Sequence, residues 1–173
     1  MTNAEASPKK PLINVADAPL RDSSGVEGAF SAKVGPVGDL IGSTGLGCMV
    51  TIVPPGKKAF PFHVHHVANE LFVILEGTGE YRFGAERYPI RAGDILAAPA
   101  GKGAELAHQI VNTGSAELKY LGISDKPISD ICEYPDSGKF AVRSRFDWHD
   151  PKAGGIRYVG RLESAVDYFD GER

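Results

Sequence analysis

The sequence predicts an all-β barrel or sandwich, and three observations carry that expectation. Short runs of valine, isoleucine, leucine, phenylalanine and tyrosine recur at close spacing. Glycine (21) and proline (12) are abundant and punctuate those runs. Almost nothing between them has helical periodicity. Taken in order, "GCMVTIVPPG", "NELFVILEGTG", "GEYRFG", "GDILAAPAG", "AHQIVNTGS" and "ELKYLGIS" each read as a strand closed by a turn signal. Such strands packed within about 80 residues leave no room for the intervening helices of an α/β fold. The one segment with any helical character is "ISDICEY", residues 128–134.

Composition bounds the rest. At 173 residues the chain is long enough for one domain with a sizeable core. Hydrophobic residues are 42% and charged residues 24%, as in an ordinary soluble protein. A net charge of −3 with no basic patch argues against a nucleic-acid partner. No apolar run approaches the roughly 18 residues of a membrane helix, so no membrane partner is expected either. The opening residues, "MTNAEASPKKPLINV", lack the apolar centre of a signal peptide and are expected to be a flexible lead-in, residues 1–20, to a barrel over residues 21–125. Cys48 and Cys132 share no recognisable spacing, which suits two free thiols in a cytoplasmic protein. Over 126–173 the pattern loosens into an irregular C-terminal extension. Its aromatics (Tyr134, Phe140, Phe146, Trp148 and Tyr158) call for burial against the barrel or a partner subunit.

The stretch "PFHVHHVANELFVILEG", residues 61–77, holds three of the five histidines beside a run of apolar residues. Side chains two apart on a strand share a face, so His63 and His65 point one way and Val64 and His66 the other. After the corner "HVAN", Glu70 opens the next strand and, if that strand pairs antiparallel with the first, returns to the histidine face with Phe72 and Ile74. Two imidazoles and a carboxylate among apolar side chains describe a metal site, because a bound cation offsets the cost of burying them. His108, opening the strand "HQIVN", is the candidate fourth ligand. His66 reads as lying outside the ligand set, His149 as a loop residue, Glu76 as an exposed strand-end charge, and Asn112 as fixing a turn. Tyr81 and Phe62 are candidate pocket residues. The alternative is a barrel that keeps these side chains and binds nothing.

The two segments resemble the paired motifs of the cupin superfamily. Gly56, His63, His65, Glu70 and Gly77 follow the order of the first motif, and Gly93, Pro99, Gly101, His108 and Asn112 that of the second. One departure is visible: six residues, "KGAELA", separate Gly101 from His108 where the common pattern has two. The resemblance covers roughly residues 45–125 and implies a double-stranded β-helix, or jelly-roll barrel. It further implies a facial metal site of His63, His65, Glu70 and His108 with open positions, and commonly a homodimer. Such a set suits Fe, Mn, Ni or Zn, all divalent transition metals. Two functions follow as expectations. One is a metal-dependent enzyme on a small oxygenated substrate, with sugar or sugar-phosphate isomerisation or epimerisation ahead of Fe(II)-dependent dioxygenation. Lys102, Lys57 and Lys58 motivate that order, as receivers of an anion at the barrel mouth. The other is a non-catalytic small-molecule-binding or sensor protein. For proton transfer the sequence offers only Tyr81, Glu105 and Lys102 as weak candidates.

Overall fold

The computed structural model describes residues 9–25, 28–145 and 154–173. Thirteen strands are found among them: β1 (Arg21–Ser24), β2 (Ser31–Pro36), β3 (Leu46–Val53), β4 (Val64–His65), β5 (Glu70–Glu76), β6 (Thr78–Phe83), β7 (Glu86–Arg91), β8 (Ile95–Ala98), β9 (His108–Val111), β10 (Leu118–Asp125), β11 (Ser129–Tyr134), β12 (Lys139–Ser144) and β13 (Ile156–Gly160). The described residues contain only short 3₁₀ turns besides, at Val15–Asp17 and Leu162–Ser164. No helix among them is long and apolar enough to cross a membrane.

The strands form two facing layers. One is a six-stranded antiparallel sheet in the order β1-β2-β3-β10-β5-β8. The other joins a three-stranded sheet, β7-β6-β9, to a four-stranded one, β4-β11-β12-β13. The join is an antiparallel bridge between His63 and His108, closed by reciprocal backbone bonds of 3.1 and 2.8 Å. Period-two alternation sends Phe72, Ile74, Leu96, Leu118 and Tyr120 inward, where they pack with Tyr81 and Ile110 from the opposite layer. At the β5–β6 corner Gly77 takes φ +84°, and a Cβ there would lie 2.4 Å from the Glu117 carbonyl oxygen. Only glycine meets both demands.

Two local expectations change. Residues 129–134 form strand β11 rather than helix: Asp130, Cys132 and Tyr134 alternate with Ile131 and Glu133, and the backbone pairs with β4 and β12. β5 does not pair with β4: it lies between β10 and β8 in the other layer. Glu70 therefore approaches the histidines across the barrel instead of along a shared ladder. Phe146, Trp148 and His149 lie outside the described residues.

Candidate metal centre

Four predicted ligands converge on the carboxylate of Glu70. Its Oε2 lies 3.1 Å from His108 Nε2, 3.6 Å from His65 Nε2 and 3.8 Å from His63 Nε2. The fold places each one for a local reason. His63 sits opposite His108 in the bridge that joins the two sheets. His65, on β4, is paired to Cys132 on β11. Glu70 is held by its neighbour Asn69, whose backbone and side-chain N–H groups donate to the two Asp125 carboxylate oxygens and whose own Oδ1 accepts from Ala100 N–H, each at 3.0 Å. The six-residue spacer before His108 forms an outward loop. Gly101 N–H donates to the His65 carbonyl at 2.8 Å, and the loop delivers His108 into register with His63.

The ring tautomers are set from behind. His63 Nδ1–H donates to the Pro61 carbonyl at 2.8 Å, and His65 Nδ1–H to the Asp130 carboxylate at 2.5 Å. Both rings thus turn an unprotonated Nε2 toward Glu70. Burial first, then the nearby His108 ring, lowers the His63 pKa to about 4, so that ring is neutral at ordinary pH. Burial pushes the Glu70 carboxyl up, but the close approach of His108 and the surrounding imidazoles outweigh it and hold the group below its usual range.

These residues fit a divalent metal. Glu70 Oε2 and both ring nitrogens of His108 are buried without a hydrogen-bond partner, so the 3.1 Å approach between them lacks hydrogen-bond alignment. Bonds of about 2.0–2.2 Å to one ion place neighbouring donors roughly 3–3.5 Å apart, close to the separations seen. His63, His65 and Glu70 keep 14–20% of their side-chain surface exposed, so the centre opens to solvent on that side. On its inner side, between Phe60, Phe72 and Tyr120, it ends in a cavity of about 10 Å³, the size of one water.

The cupin-domain family model matches residues 49–124, the span that contains all four candidate ligands. The chain carries a cupin domain. Among relatives of this chain, an oxalate-binding protein of Thermotoga maritima is 32% identical over 71 residues, covering 41% of this chain and 54% of that protein. Quercetin 2,3-dioxygenase of Bacillus subtilis is 35% identical over 83 residues, 47% of this chain and 25% of the dioxygenase. The chain thus spans about half or less of the length of these two curated relatives. A solved sugar phosphate isomerase of the cupin superfamily from Silicibacter pomeroyi superposes with a TM-score of 0.73 at 20% identity. That match covers 92% of this chain and 98% of the other, and it is a likeness of fold.

The remaining predicted residues are spread out. Tyr81 is buried near the centre, its ring 6.3 Å from that of His108, but its hydroxyl donates to the Ala97 carbonyl at 2.8 Å. Burial and the Glu70 charge raise its pKa. Lys102 and Glu105 stand exposed on the loop 101–107. Lys57 Nζ donates to the Gly28 carbonyl and Lys58 lies over the Phe30 ring, so neither is committed to the metal donors. Phe62 faces away from His63, buried under the Arg82 guanidinium, 3.5 Å from its ring centroid. His66 also faces away and pairs with Glu133 at 2.6 Å. Asn112 is fully buried and closes its own turn, donating to the Val53 and Ala116 carbonyls and accepting from Gly114 N–H. Glu76 is paired with Lys119 at 3.2 Å.

Strand β11 supplies three further residues that the motifs do not contain. Asp130, 4% exposed, fixes His65 and also accepts from Val67 N–H at 3.0 Å. Cys132 lies opposite His65, with its sulfur within 4.8 Å of ring nitrogens of His63 and His65. Tyr134 stacks on the His63 ring at 6.2 Å. The signal for all three is the D-x-C-x-Y alternation inside "ISDICEY".

Proposed function

We propose that this cupin is a metal-dependent enzyme acting on a small oxygenated substrate, with isomerisation of a sugar or sugar phosphate as its reaction. The observation that carries the metal reading is the convergence of His63, His65, Glu70 and His108, with Glu70 Oε2 and the His108 nitrogens buried and unpaired. When bound, a divalent metal supplies Lewis-acid polarisation of a substrate carbonyl or hydroxyl. The chain's own residues do the rest. Pro61 and Asp130 hold two imidazoles in the ligating tautomer, Phe72 and Tyr120 wall the inner side, and substrate arrives from the side on which His63, His65 and Glu70 are exposed. Tyr134, stacked on His63 and hydrogen-bonded to Cys132, is a candidate for moving a proton beside Tyr81, whose hydroxyl donates to the Ala97 carbonyl. Similarity across nearly the whole chain to a sugar phosphate isomerase is in keeping with this reading.

A second reading, Fe(II)-dependent dioxygenation, is favoured by the 35% identity with quercetin 2,3-dioxygenase over 83 residues. One experiment separates the two. Protein purified anaerobically without chelator is analysed for metal, then assayed for interconversion of aldose and ketose phosphates and for substrate-dependent oxygen uptake. Isomerisation without oxygen uptake supports the proposal. Iron with oxygen uptake on a phenol or diketone replaces it with the second reading. Bound metal with neither activity makes the chain a binding protein.

A further inference from the structure

The face of β11 that looks into the centre carries Asp130, Cys132 and Tyr134, spaced two apart. The first is hydrogen-bonded to His65 and the third is stacked on His63. Between them, Cys132 is directly opposite His65 in the β4–β11 ladder, 8% exposed, and in no disulfide. His63, His65 and Cys132 form a second mutually close set of donor atoms beside the set of His63, Glu70 and His108, and the two sets share His63. The other set, joined to this one through His63, carries a second observation that points to a ligand: His108, 3% exposed, turns a ring nitrogen toward Glu70 with no hydrogen-bond partner of its own.

We propose that Cys132 is a further donor to the metal centre, adding sulfur to its nitrogen and oxygen ligands. This rests on the metal-binding reading and deepens it. Binding through sulfur breaks the S–H bond, passes the proton to solvent and forms a metal–sulfur bond, with no change of oxidation state. A thiolate biases the centre toward zinc, cobalt and ferrous iron and away from magnesium and manganese, which prefer oxygen donors. It also distinguishes this centre from the plain histidine and glutamate set that the motifs describe.

The test is cobalt(II) titration of the full chain in the Cys48→Ser background, where Cys132 is the only thiol, followed by visible and near-ultraviolet absorption. The expected result is the ligand-field bands of bound cobalt together with an intense thiolate-to-cobalt charge-transfer band. Adding Cys132→Ser should abolish the charge-transfer band and leave the ligand-field bands. Ligand-field bands without charge transfer would overturn the proposal while leaving the metal site standing. No cobalt binding at all would overturn both. Should the double variant fail to fold, alkylation of the Cys48→Ser protein decides: cobalt should protect Cys132 from iodoacetamide, and equal labelling with and without metal refutes its ligation.

Discussion

Replacing Asp130 by asparagine removes the group that orients His65 while keeping its shape. The carboxylate accepts from two donors at once, His65 Nδ1–H at 2.5 Å and Val67 N–H at 3.0 Å. An asparagine has one acceptor oxygen, so one of those donors must face an NH₂ group instead. At a site 4% exposed the orphaned donor finds little water, at a cost of about 1–3 kcal/mol. The His65 ring also loses the anion that fixes its orientation. Losing an outer partner of this kind typically lowers metal affinity by about 10–100-fold. The assay is competition between the protein and a chromophoric chelator for zinc or cobalt, with thermal unfolding of the metal-free protein as the control for folding. Metal affinity within about twofold of the parent, in a variant that is folded, would refute the idea that Asp130 positions a ligand.

Four further outcomes are expected. Gly77→Ala should destabilise the fold by more than about 1 kcal/mol, read from denaturant midpoints, because it combines a left-handed φ with a backbone clash; an unchanged midpoint would contradict the corner geometry. Metal-free protein should lose stability on acidification. His63 titrates at about 4 in the fold against 6.5 in the unfolded chain, so below pH 6.5 the unfolded state takes up a proton that the folded state refuses. The loss approaches about 1.4 kcal/mol per pH unit and is complete near pH 4, on the order of 3 kcal/mol in all; denaturant melts flat from pH 7 to 4.5 would contradict it. Glu70 and Asp130, both held below the usual carboxylate range, add to the loss at still lower pH. We expect a homodimer, because Leu71, Val73, Leu121, Ile123 and Ile95 line the outward face of the six-stranded sheet, Ile95 being 68% exposed. The C-terminal arm adds further exposed apolar groups at Leu162, Val166, Tyr168 and Phe169. Light scattering at micromolar concentration should give twice the chain mass, and Ile95→Asp should halve it; a monomeric parent would refute the interface. His63→Ala with His65→Ala should abolish metal retention and leave the circular dichroism of a β protein; full occupancy would sink the ligand assignment.

The strands that carry the core were legible because each announces itself locally. Apolar alternation in "ELFVILEG" ends at Gly77, and "DILAAPAG" ends at Pro99 and Gly101. The four candidate donors that meet around Glu70 were legible because chelation constrains both residue type and spacing along the chain. What escaped depends on contacts distant in sequence. Asp130 lies 65 residues from the histidine it orients, and only the β4–β11 ladder brings them together. Cys132 and Tyr134 reach the centre on the same strand. A seven-residue segment with two isoleucines three apart satisfies helical and strand periods almost equally, and pairing with β4 and β12 decides in favour of the strand. Pairing likewise overrode the simple hairpin of β4 with β5: the corner at residues 66–69 crosses between layers, held by Asn69 and Asp125.

The central claim is that His63, His65, Glu70 and His108 hold one divalent metal. The most direct measurement is metal content per chain for protein purified without chelator, alongside Glu70→Ala prepared identically. The account predicts about one transition-metal ion per parent chain and little or none in the variant, with the fold intact in both. A parent that binds no metal when supplied with zinc, cobalt, manganese or ferrous iron, or a Glu70→Ala protein that keeps its full complement, would contradict it.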